Sequence, residues 1–135
     1  MSPVPSTPPD PDPHLPTDGP VTLGEALAAA ARLIPSGRAA SYGALAGLLG
    51  RGGPRQAGRA MAESEPGTPW WRVVRADGSL PEPLRRQARE RWAAEGTPVR
   101  GSGTVRDQRV DLAQAGWEPD AAARAALADL AARVG

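Results

Sequence analysis

Between Leu49 and Arg55 the chain reads LGRGGPR, and this stretch limits what can form on either side of it. A helix running into Gly50 ends there, because glycine at the C′ position takes up the left-handed conformation that caps a helix. A helix leaving Pro54 begins there, because proline lacks an N–H that the first turn could not use anyway. Upstream, Ser41 is a good N-cap, and Leu45, Leu48 and Leu49 form an apolar face. Downstream, Ala57, Ala60 and Met61 recur at inward-facing spacing. Two short helices about a glycine-bearing turn make a helix-turn-helix, whose second helix characteristically enters a DNA groove by its N-terminal part. Arg55 and Arg59 lie four residues apart on one face of that helix with Gln56 beside them, so these three are the candidate DNA contacts. The same pattern also suits an ordinary helical hairpin with a solvated arginine face.

Charge favours the first alternative. All sixteen basic residues are arginines, and none lies in residues 1–20, which hold three aspartates and eight of the sixteen prolines. Residues 21–135 therefore carry sixteen arginines against twelve acids, a net +4, and residues 35–109 alone are about +6. A basic face of this kind suits a nucleic-acid partner. Residues 1–20 cannot bury enough apolar surface to offset chain entropy and are expected to be a disordered, polyproline-like tail. That segment lacks the basic start and apolar run of a signal peptide, and no later segment reaches membrane-spanning length, so the expected compartment is the cytosol.

The inventory also excludes chemistries. There is no cysteine, and the single histidine, His14, lies in the tail. Disulfides, thiolate-bound metals, cysteine nucleophiles and serine–histidine triads are therefore out of reach of the folded part. The remaining acids are scattered, so neither a metal site nor a cofactor is implied.

Elsewhere the signals are mixed. Thr22-Leu-Gly-Glu25 has capping-box spacing and opens a helix with Leu23, Leu27, Ala30, Ala31 and Ile34 on one side. Val73-Val74 reads as a short strand turning at Asp77-Gly78. A helix from about Pro83 to Glu95 buries Leu84, Ala88 and Trp92, and Gly96 closes it. The run TVRDQRVDL predicts a small hairpin around Asp107-Gln108, and Asp120 caps an alanine-rich helix with Leu127 and Leu130 inward. The expected fold is α+β, mostly helical, a winged-helix-like domain containing a helix-turn-helix: a tail over 1–20, a DNA-binding domain over 21–117 and a C-terminal helix over 118–135.

Two of the four tryptophans stand side by side in TPWWRVVRADG, in a chain without phenylalanine and with one tyrosine. The order IPSGRAASYGALAGLLG, PRQAGRAM, PWWRVVRADGSL resembles the C-terminal DNA-binding domain of O6-alkylguanine-DNA alkyltransferases, from about Leu23 to Gly96. The later RVDLAQAGW resembles the noncatalytic, alkyltransferase-like branch and extends the likeness to Trp117. The catalytic family reads proline, cysteine, histidine, arginine where this chain has Pro69, Trp70, Trp71 and Arg72. An indole is no substitute for the thiolate that accepts the alkyl group, so the resemblance implies a protein that is not an enzyme. Tryptophan for cysteine is a mark of the noncatalytic branch; that branch usually keeps the histidine, and Trp71 is a departure.

The resemblance further implies that Tyr42 rotates the target phosphate outward, that Ser41 touches the DNA backbone and that Arg55 fills the gap left by the extruded base. Gly58 matches a glycine that allows close helix approach; Pro69, Trp70, Trp71, Arg72 and Val73, with Tyr42, match the lesion-pocket segment. Extruding a base costs a few kcal/mol, less at a damaged pair, and stacking on Trp70 is worth about 1–3 kcal/mol. The function implied is recognition of O6-alkylguanine by base flipping, without alkyl transfer. Its expected partners are double-stranded DNA, preferably alkylated, and nucleotide-excision repair proteins, with no membrane and a monomeric state. The alternative is a winged-helix regulator or architectural protein in which the tryptophans plug a closed pocket.

Overall fold

The computed structural model describes residues 19–101 and 107–135. The proline-rich tail up to residue 18, and the 104–106 arm of the expected hairpin, lie outside the described residues. Helix α1 (Leu23–Ala31) starts as its capping box predicts: Glu25 N–H donates to Thr22 Oγ1 at 3.0 Å, and Thr22 N–H donates to Glu25 Oε1 at 2.9 Å. Strand β1 (Ala40–Ser41) leads straight into α2 (Tyr42–Leu49), where Ser41 Oγ accepts from Ala44 N–H at 3.0 Å. Gly50 ends α2 at φ +78°, a backbone region that a Cβ would strain. Helix α3 (Pro54–Ala62) begins at the proline. Its first turn is held by Gly53 N–H donating to Gln56 Oε1 at 3.0 Å, one half of a capping box that glycine cannot return.

A 3₁₀ turn (Trp70–Arg72) feeds β2 (Val73–Val74), which pairs in parallel with β1, Ala40 opposite Val73 and Ser41 opposite Val74. A second 3₁₀ turn (Glu82–Leu84) opens α4 (Arg85–Glu95), closed by Gly96. Strands β3 (Val99–Arg100) and β4 (Arg109–Val110) form the antiparallel wing. Its first strand is thus Val99–Arg100, upstream of the expected TVR arm. The sequence offers Val-Arg twice, at 99–100 and 105–106, and Asp111 N–H donating to Pro98 O at 2.9 Å sets the register on the first copy. The chain ends in α5 (Leu112–Ala115) and α6 (Ala121–Arg133), the latter capped by Asp120.

Apolar side chains gather in two clusters. One joins α1, α2, α3 and α6 through residues such as Leu27, Leu45, Ala57, Met61, Leu127 and Leu130, so the C-terminal helix shares the core of the helix-turn-helix. The other gathers Ala39, Val74, Leu80, Ala88, Trp92, Val110 and Ala115. Successive strand residues face opposite ways, and the two valines of β2 accordingly divide: Val73 enters the first cluster and Val74 the second. Tyr42 and Trp70 are half-buried and pack against both, which puts them at the seam. Among the described residues no helix is long and apolar enough to cross a membrane.

Candidate nucleic-acid interface

At that seam lies an open cleft of about 600 Å³. Tyr42 and Gly58 form one wall, Trp70 and Trp71 another, and the side is closed by Leu80, Leu84, Gln87 and Arg91. The tryptophans line this space rather than fill it. Their rings meet edge to face, centroids 5.6 Å apart at 88°, one of the favoured aromatic geometries.

Trp71 is fixed on several sides. Its Nε1–H donates to Glu95 Oε2 at 3.0 Å, and its carbonyl accepts from Trp92 Nε1–H at 2.8 Å. The Arg91 guanidinium lies over its ring, 4.6 Å from the centroid, within cation–π range. Its one N–H is therefore committed away from a ligand, and what Trp71 offers the cleft is aromatic surface. Glu95 also binds Arg72, through Nε at 3.0 Å and Nη2 at 2.5 Å, and accepts from Gly37 N–H at 3.3 Å. Burial raises the pKa of the Glu95 carboxyl, but the hydrogen bonds from Arg72, Trp71 and Gly37 and the charge of Arg72 outweigh it and hold the group below its ordinary value. Arg72 uses its remaining Nη1 to donate to Ile34 O at 2.9 Å.

The predicted pocket residues therefore divide. Tyr42, Trp70 and Trp71 come together in the cleft, whereas Pro69, Arg72 and Val73 stand behind it. Val73 is fully buried in the first cluster, and the guanidinium of Arg72 is turned to Glu95 and Ile34. Gly58 is likewise not forced by packing, since a Cβ there would stand 3.8 Å from the Tyr42 ring, an ordinary contact. Its missing side chain leaves room in the cleft. Burial raises the pKa of the Tyr42 phenol, opposed by the charge of Arg75, so Tyr42 remains a neutral hydroxyl that can donate.

Of the expected DNA contacts, Arg55, Gln56 and Arg59 all lie exposed on α3. Gln56 spends its carbonyl oxygen on Gly53, and Arg59 Nε donates to Glu63 Oε2 at 3.0 Å in a solvated pair. Ser41 Oγ accepts one hydrogen bond in the α2 cap and keeps its O–H to donate. The residue reading missed Glu95, the hub behind the tryptophans. One signal did point to it: a carboxylate in the last turn of α4 faces the unfavourable end of the helix dipole and needs a partner elsewhere.

A family model described as 6-O-methylguanine DNA methyltransferase, DNA binding domain, matches residues 23–97. Atl1 of S. pombe, solved in complex with damaged DNA containing O6-carboxymethylguanine, is 25% identical with a TM-score of 0.61; the alignment covers 71% of this chain and 94% of that one. A second S. pombe structure, ATL in complex with DNA, is 22% identical with a TM-score of 0.59, covering 73% of this chain and 100% of that one, a likeness of fold. No curated protein matches the chain.

Proposed function

Since the chain belongs to the family of 6-O-methylguanine DNA methyltransferase DNA-binding domains, we propose that it is an alkyltransferase-like protein that binds duplex DNA, receives a flipped O6-alkylguanine between Tyr42 and Trp70, and transfers nothing. The observation that carries this reading is the open cleft of about 600 Å³ with the two indoles as walls. A plugged pocket, as the regulator reading requires, would put those indoles inside that volume. The likeness to Atl1, 25% identical and solved in complex with damaged DNA, supports the same assignment. With no thiol in the chain, a bound lesion keeps its alkyl group, and the role that remains is to mark it for excision repair by other proteins.

In this reading α3 lies in the groove, Arg55 takes the place of the extruded base and Tyr42 steers the phosphate. Binding titrations with matched duplexes, with and without one O6-methylguanine, test it directly. Tighter binding to the methylated duplex is expected. With the methyl group radiolabelled, denaturation should leave no label on the protein. Equal affinity for the two duplexes would move the assignment to the regulator, and stable labelling would remove the claim that no transfer occurs.

A further inference from the structure

The wing contains an arrangement that its own stability does not favour. Arg100 on β3 and Arg109 on β4 stand directly opposite each other in the antiparallel register, both exposed. Like charges in directly opposed positions destabilise a strand pair, and a two-residue ladder has little to set against them. The hairpin nevertheless has a fixed place. Val110 N–H donates to Gly78 O at 2.9 Å, and a Cβ on Gly78 would lie 2.1 Å from Val110 O, so the wing rides on the turn that follows β2. That turn carries Arg75, also exposed.

The three arginines form one field with the cleft. Arg75 acts on the phenol of Tyr42 on one side and on the carboxylate of Asp77 on the other, and Arg109 acts on the same Asp77. Tyr42 in turn lies against Gly58 of α3. A continuous line of neighbours thus runs from the recognition helix through Tyr42 and Arg75 to the wing. Asp77 is the acid shared by Arg75 and Arg109, and it is itself engaged by Ser79, whose N–H and Oγ–H donate to Oδ1 at 3.0 and 2.6 Å. Arg75 and Arg109 thus share an acid that Ser79 already engages, and Arg100 adds a third positive charge across the ladder from Arg109.

We propose that Arg100 and Arg109, with Arg75 beside them, form a second site for backbone phosphates of the duplex, on the wing side of the cleft and separate from α3. A phosphate between the two opposed guanidinium groups cancels the repulsion that the free wing carries, and the forked N–H geometry of arginine suits it. The inference rests on the DNA-binding reading above. The site is blind to sequence and lesion, because phosphate contacts fix register and affinity while carrying no base information.

The test uses the full chain as wild type, Arg100→Gln, the double variant Arg100→Gln/Arg109→Gln and, as a control for net charge, Arg124→Gln on the exposed side of α6. Each is titrated over a salt series with the O6-methylguanine duplex and its undamaged match, and each is melted without DNA. The double variant is expected to lose about two units of salt slope and to weaken both duplexes by the same factor. Lesion preference stays as in wild type, and the double variant melts no lower than wild type. An unchanged slope in the double variant would overturn the wing site, as would an equal loss per arginine in Arg124→Gln. A fall in melting temperature alongside the weaker binding would make the pair structural and sink the site too. Wild type that binds neither duplex would instead bring down the DNA-binding reading on which the site rests.

Discussion

Arg72 and Glu95 meet at 2.5 Å with 18% and 12% of their side chains exposed, whereas Arg59 and Glu63 meet at 3.0 Å with 78% and 65% exposed. The chemistry of the two pairs is the same and the surroundings differ. Around Arg72 and Glu95 water is largely excluded, and both ions are desolvated whether or not the partner is present. Each therefore has to be satisfied by the other and by the Trp71, Gly37 and Ile34 groups around them. Around Arg59 and Glu63 water solvates both ends, so the pair contributes little and can open without penalty. One pair immobilises the wall of the cleft; the other leaves an exposed arginine on α3 whose carboxylate partner is readily exchanged. Exposure, more than residue identity, decides which role an ion pair takes.

The sharpest way to break the comparison is to neutralise each glutamate in turn. Glu95→Gln leaves the Arg72 guanidinium partly buried without a counter-charge and should lower stability by about 3 kcal/mol in urea unfolding. Glu63→Gln should cost less than about 1 kcal/mol. Similar losses would show that burial is not what distinguishes the two pairs. Acid gives the same contrast. Glu95 is held below its ordinary value of 4.5 in the folded state, so its stabilisation is complete above that value and disappears as pH falls through the lowered folded pKa. The acid limb of wild-type unfolding should accordingly be steeper than that of Glu95→Gln.

Trp71 sharpens the comparison from the side of the cleft. Trp71→Phe keeps an aromatic wall and removes the N–H to Glu95, a bond to a charged acceptor worth about 1.5 kcal/mol. Trp71→His keeps a donor and should fall between wild type and Trp71→Phe in unfolding experiments. If histidine and phenylalanine prove equally destabilising, the bond to Glu95 contributes less than its geometry suggests. The smallest effect on stability belongs to Arg59→Ala, within about 1 kcal/mol of wild type. The same change should reduce the salt dependence of duplex binding by about one unit. An unaltered salt slope would mean that Arg59 never leaves Glu63.

What was legible beforehand follows sequence distance. The capping box at Thr22 and Glu25, the Gly50 stop, the Pro54 start and the Asp120 cap each depend on residues three or four apart, and each formed as their spacing dictates. The tryptophan pair was visible because the chain has so few aromatic residues. The parallel ladder between β1 and β2 could not be seen, because nothing local in Ala40-Ser41 identifies a partner more than thirty residues on. Glu95 was hidden for the same reason: its partners are Trp71, Arg72 and Gly37, far away in the chain. The wing was half legible: the pattern called for a hairpin there but put its first arm on TVR, whereas β3 is Val99–Arg100.

The position of Glu95, well after the helix-turn-helix in the chain, bears on how the molecule comes into being. A chain emerging from the ribosome has all the residues of α2, the Gly50 turn and α3 once residue 62 is out, and contacts between neighbours in sequence form early. The anchoring of Trp71 and Arg72 has to wait for Glu95 and for the α4 helix that carries it. The residues of the helix-turn-helix thus precede those that fix its cleft, while α6, which shares its core, comes last of all. A chain truncated before α4 would carry Arg55 and Arg59 but lack both the Glu95 anchor of the cleft wall and the α6 side chains of the shared core.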